Sequence, residues 1–193
     1  MPSPLAHVAA TLSLYVALLP AEARSLVPGW KALGLLGFAS VAPDMDIPLG
    51  IVLGDPVGWH HGPTHSLLGA GLAGLALAGL ARWASAGTSD GVGARALAIA
   101  TAVGCLLHVP LDWSTGNPAD AAKFGVPLFW PLLETKYIAG WTLFGAYHID
   151  KQGFLLNMIA PEALPVWGRE LLFVAAVAAL GLGVRRLRSG RAA

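Results

Sequence analysis

Residues 66–84, 94–112 and 167–184 form three almost charge-free apolar runs of about 18–20 residues, each long enough to cross about 30 Å of hydrocarbon. A bilayer interior offers no water to free backbone N–H and C=O groups, so runs of this kind fold as helices. Two shorter apolar runs precede them, at residues 5–19 and 32–42. The second is too short to span alone, although Lys31 and flanking loop residues can lie at its ends. The pair reads as a helical hairpin turning at residues 20–29. Pro43 is expected to end its second helix, because proline removes a backbone donor and disfavours helix for the residue before it. The expected fold class is all-α: one domain built as a polytopic membrane helix bundle of about five transmembrane or partly spanning helices. Gly71, Gly74 and Gly79 are expected to let those helices approach closely.

Composition excludes several other classes. Only 12% of the 193 residues are charged and 55% are hydrophobic, whereas a soluble domain carries about 25% charged residues. So apolar a chain is not disordered. A net charge of +1 lacks the cationic surplus that phosphate neutralisation needs, so no nucleic-acid partner is expected. The lone Cys105 excludes an internal disulfide and a Cys-rich zinc site. Ala21-Glu22-Ala23 resembles a signal-peptidase site, but no Lys or Arg precedes His7, so cleavage is not expected. Residues 113–165 mix aromatic rings with Gly, Pro and charges, which suits an aromatic-rich segment lying at the membrane interface.

If the helices alternate, one face receives Arg24, Lys31, Arg82, Arg95, Arg185, Arg186, Arg188 and Arg191, eight of the twelve basic residues. By the positive-inside rule that face is cytoplasmic, with the N-terminus outside and the C-terminus inside. The same alternation carries His7, Asp44, Asp46, His60, His61, His65, His108 and Asp112 to the outer end. Ionisable groups at membrane depth are costly, so such a gathering points to function. Asp44 and Asp46 share a face if the backbone after Pro43 is extended, and His108 and Asp112 share one across a helical turn that Pro110 loosens. Thr64 or Ser66 can cap the helix that follows. His60 and His61 are adjacent and point apart in most backbones, leaving open which of them is a ligand. His148 and Asp150 are expected in solvent.

Imidazole and carboxylate together suit zinc, and also manganese or iron, better than calcium or copper. The candidate ligands of this divalent transition metal are His7, Asp44, Asp46, His60, His65, His108 and Asp112, enough for one or two ions. Asp46 and His60 are also the candidate catalytic residues, Asp46 as a general base or as a partner that orients a histidine.

Four ordered motifs resemble those of the YdjM-like family: Ala42-Pro43-Asp44-Met45-Asp46, His60-His61-Gly62-Pro63-Thr64-His65-Ser66-Leu67, His108-Val109-Pro110-Leu111-Asp112 and Gly125-Val126-Pro127-Leu128-Phe129-Trp130-Pro131. The resemblance covers about residues 5–135 and includes a histidine matching His7. It implies a bacterial or archaeal inner-membrane protein and a metal-dependent hydrolase. Two departures stand out. His61 occupies a position at which the family often carries Arg, which leaves an anion clamp to Lys123 or Lys136. Residues 115–124 form a longer stretch than the pattern suggests, one that can cover the site as a lid. The expected function is therefore hydrolysis of a phosphoester or lipid-linked substrate from the membrane, through a metal-activated water at the outer interface. The alternative is a non-enzymatic metal-binding transporter or sensor. A transporter needs polar groups continuing through the bilayer, and this chain has almost none there. Haem ligation by His7 or His108 would leave the carboxylates unexplained.

Overall fold

The apolar runs fold as helices. A computed structural model describes residues 2–19, 29–85, 91–145 and 161–190. It contains α1 (Pro4–Leu18), α2 (Trp30–Val41), α3 (Asp46–Val52), α4 (Pro56–Trp59), α5 (Leu67–Ala84), α6 (Gly91–Trp113), α7 (Ala121–Phe124) and α8 (Leu164–Gly190). No strand occurs among the described residues, only isolated bridges pairing Thr115 with Phe144 and Val126 with Tyr137. The proposed hairpin turn and cleavage site, together with His148 and Asp150, fall outside the described residues except for Gly29.

Helix α2 ends at Val41, just before Pro43, as expected, but the rod continues: Ala42–Met45 form a single 3-10 turn with Pro43 in its first positions, and α3 begins at Asp46. The first N–H groups of a helical turn have no partner within it, so proline's missing donor costs little there. Trp30–Val52 thereby becomes one apolar rod of 23 residues, long enough to span, as are Gly93–Trp113 and Pro161–Gly190. The run at 32–42 is thus longer than its sequence suggests. Helix α5 is shorter than its run, because Ser66 lies outside it as the N-cap.

Burial runs opposite to that of a water-soluble domain. Leu72, Leu75, Leu80 and Trp83 of α5 and Leu171, Leu172, Leu180 and Leu187 of α8 are exposed, as suits a lipid solvent. The interior holds small residues such as Ala70, Ala96 and Ala100. Helix α6 packs against α1, α2 and α5, while α8 packs along α1. Of the three glycines noted above, Gly74 makes the close approach. A Cβ there would lie 2.6 Å from the Ala102 carbonyl oxygen and 3.2 Å from Cys105 Cβ, whereas Gly71 is in ordinary contact and Gly79 faces open space. Gly74→Val should therefore destabilise the bundle by about 1–3 kcal/mol, as overpacking does. It should lower the thermal midpoint in detergent, with Gly79→Val nearly silent. Equal midpoints for the two variants would contradict this helix contact.

Helix order delivers the polar residues to one end. Helices α1, α5 and α8 start where α6 and the 3-10 turn after α2 finish, as the contacts of Ser3 with Glu170 and of His65 with Asp44 and His108 require. Lys31, Arg82, Arg95, Arg185, Arg186 and Arg188 lie toward the opposite ends of their helices.

Candidate metal centre

Eight side chains meet at that end. His7 comes from the first turns of α1, Asp44 and Asp46 from the 3-10 turn and the start of α3, and His108 and Asp112 from the last turns of α6. His60, His61 and His65 lie between α4 and α5. His7, His65, His108 and Asp112 are at most 1% exposed.

Nitrogen pairing orients the rings. His108 Nδ1 donates to the Ser40 carbonyl at 2.8 Å and His61 Nδ1 to the Gly125 carbonyl at 3.2 Å. His60 Nδ1 lies 3.1 Å from Asp46 Oδ1, and His65 Nδ1 lies 3.1 Å from Asp46 Oδ2. A carbonyl or carboxylate oxygen only accepts, so each Nδ1 carries the proton and each Nε2 is left as an electron-pair donor. Outer partners of this kind set the tautomer of metal-binding histidines.

The Nε2 atoms of His65 and His108 converge on the carboxylates. His65 Nε2 lies 3.3 Å from Asp44 Oδ1 and 3.3 Å from Asp112 Oδ2. His108 Nε2 lies 3.4 Å from Asp44 Oδ1, 3.2 Å from Asp112 Oδ2 and 3.2 Å from His65 Nε2. Four tetrahedral ligands held roughly 2.0–2.1 Å from an ion stand roughly 3.3–3.4 Å apart from one another. Neither Asp112 oxygen makes a hydrogen bond among the described residues, and neither do the Nε2 atoms of His60 and His61. Buried polar atoms are normally paired. Crowded ligand atoms that include an unpaired buried carboxylate fit a bound cation, so this quartet can hold a metal ion.

Two further groupings, His60–His61–His65 and Asp44–Asp46–His60–His65, also bring ligand atoms together, and both share His65. His7 sits at the margin. Its ring stacks on His108 at 3.9 Å, and its Nε2 is 3.6 Å from Asp112 Oδ1.

Three local expectations change. Asp44 and Asp46 are not on extended backbone. The 3-10 turn splays them so that they grip opposite nitrogens of one ring, His65. His60 and His61 do not point apart: His61 adopts φ 58°, and the two rings stand 4.2 Å apart on the cluster side. His61 Nε2 then lies 3.4 Å from Asp112 Oδ2, so His61 joins the cluster together with His60. The cluster contact falls at Gly125, just past the expected lid segment 115–124, of which residues 117–119 are exposed. Ser66 accepts from Gly69 N as the cap of α5, and Thr64 donates to Asp46 Oδ2.

Glu170 was not singled out from the sequence, although a lone carboxylate inside the apolar run 167–184 is a signal. It is fully buried and accepts the Ser3 N–H at 2.7 Å and the Ser3 hydroxyl, fastening the start of α1 one turn before His7.

Charge follows from burial. Burial lowers the pKa of His61 from 6.5 to about 3, against the pull of Asp112, so the ring is neutral near pH 7. Burial acts the same way on His65, but contacts with Asp112, Asp44 and Asp46 outweigh it and raise its pKa well above 6.5. Without a metal, His65 therefore carries a second proton, on Nε2, at neutral pH, and metal binding there must expel it. Affinity should weaken about tenfold per pH unit of acidification below the raised pKa, for each proton displaced. Chelator competition at pH 6, 7 and 8 measures this, and a flat profile would contradict the assignment of His65.

A polytopic helical membrane protein with a buried His/Asp cluster able to hold a metal is thus defined. The model of the YdjM inner membrane protein family matches residues 1–192, and the chain belongs to that family. No curated protein and no solved structure matches it.

Proposed function

We propose that this protein is a membrane-bound metal-dependent hydrolase acting on a phosphoester or lipid-linked substrate. The observation that supports it best is the quartet Asp44, His65, His108 and Asp112, with ligand atoms at tetrahedral spacing and Nε2 lone pairs turned inward. Zinc is the proposed ion, since it favours four-coordinate nitrogen and oxygen sites. Such an ion supplies Lewis acidity, lowering the pKa of water toward neutrality and polarising the bond to be cut.

The chain's own residues do the rest. Asp46 accepts from His60 Nδ1 and Thr64, which holds the His60 ring with Nε2 free. His60 is the least enclosed of the five clustered histidines, with its side chain 11% exposed. It is therefore the group positioned to move a proton between water and substrate, with Asp46 holding the orientation of its ring. Asp46 acts as the orienting partner, since both of its oxygens are engaged.

The cluster end is proposed to face outward, because the six described basic residues at the other end suit the cytoplasmic side. Met45, Leu49 and Trp59 are exposed near the cluster and offer hydrocarbon contact to an apolar tail. The test is metal analysis of purified protein with a screen of phosphoester and lipid substrates. Turnover should vanish with chelator and return with added metal. Stoichiometric metal without turnover of any substrate would favour the transporter or sensor reading.

A further inference from the structure

The ion proposed above leaves a charge imbalance. Asp44, Asp46 and Asp112 against one divalent cation leave one negative charge over, which would repel an anionic phosphoester. His61 does not offset it, since its Nδ1 is committed to the Gly125 carbonyl. Lys31, Arg82, Arg95, Arg185, Arg186 and Arg188 belong to the far end of the bundle.

Lys136 is placed differently. Tyr137 exchanges two backbone hydrogen bonds with Val126, each 2.9 Å, which lays residues 136–137 along residues 125–126. A Cβ on Gly125 would lie only 3.1 Å from Lys136 Cβ and 3.0 Å from the Tyr137 carbonyl oxygen. The absence of a side chain at Gly125 thus lets Lys136 pack against the residue whose carbonyl holds His61. Lys136 is half-buried, and Asp46 is near enough for its charge to act on the ammonium. Burial nevertheless lowers the lysine's pKa, so Asp46 does not fully repay its lost hydration. A half-buried ammonium packed against the residue that orients His61 is a receptor for an anion.

We propose that Lys136 forms an anion subsite beside the metal cluster and takes the non-bridging oxygens of a phosphoester substrate. This rests on the hydrolase reading, but it makes a separate claim about binding.

Binding of inorganic phosphate, and of phosphatidic acid in mixed micelles, should be measured by calorimetry on metal-loaded wild type, Lys136→Gln and Lys136→Arg. Metal content and thermal midpoint are read on the same samples. Lys136→Gln should weaken anion binding roughly tenfold, about 1.4 kcal/mol, with metal content and midpoint unchanged, and Lys136→Arg should restore most of it. Lys136-dependent binding of either anion supports the subsite, and the tighter of the two tells a lipid headgroup from free phosphate. Unchanged anion affinity in Lys136→Gln overturns the subsite while leaving the metal centre standing. Loss of metal in Lys136→Gln also overturns it, since Lys136 would then act through the cluster. Lys136-dependent anion binding without turnover would keep the subsite and count against the hydrolase reading alone.

Discussion

His65→Ala and Asp112→Asn should each strip the purified protein of metal. Both residues belong to the quartet, and His65 also appears in the two other groupings. Mutating outer partners alone typically costs 10–100-fold in metal affinity, and loss of a direct ligand should cost at least that much. Asp112→Asn keeps shape and volume, which separates lost ligation from lost folding. Removing one member of a buried charged set also leaves its partners uncompensated, so His65→Ala should be destabilised as well. Metal content after desalting, with circular dichroism on the same samples, is the measurement. Full metal retention in folded forms of both variants would remove the quartet from the account.

His60→Ala should have the opposite profile, with metal retained and turnover reduced. Its Nδ1 is held by Asp46, while its Nε2 is buried without a hydrogen-bond partner. General acid–base catalysis typically contributes 10²–10⁴-fold, so a fall of about that size in kcat is expected, with the metal equivalents of the wild type. Asp46→Asn should fall less steeply, because it disturbs the orientation of His60 and leaves the ring in place. Once a substrate is in hand, steady-state kinetics with metal analysis decides. Normal turnover in His60→Ala would assign proton transfer elsewhere.

The helices were legible because membrane spans write themselves as long apolar runs. The common end of the polar residues was legible because alternation fixes which helix ends meet. His108 and Asp112, four apart on one helix, needed nothing more. What stayed hidden depends on local backbone conformation. His61 turns into the cluster through a positive φ that non-glycine residues seldom adopt, so adjacency with His60 argued for the wrong geometry. Pro43 does follow the end of α2, but the 3-10 turn that carries the rod past it depends on a local conformation that residue type alone does not announce. Asp44 and Asp46 consequently grip His65 from two sides, a relation that i, i+2 spacing on a strand would not produce. Glu170 was readable in principle, but its partner Ser3 lies 167 residues away and no spacing rule connects them. The proximity of Lys136 to residue 125 likewise comes from a backbone bridge between irregular segments.

Metal-edge X-ray absorption on the purified protein tests the central claim most directly. Roughly one to two ions per chain are expected in a nitrogen and oxygen shell, at roughly 2.0–2.1 Å if the ion is zinc. Outer scattering from at least two imidazoles and no sulfur ligand are expected as well. Protein that takes up no ion when supplied with metal, or an ion whose spectrum lacks imidazole scattering, would contradict it.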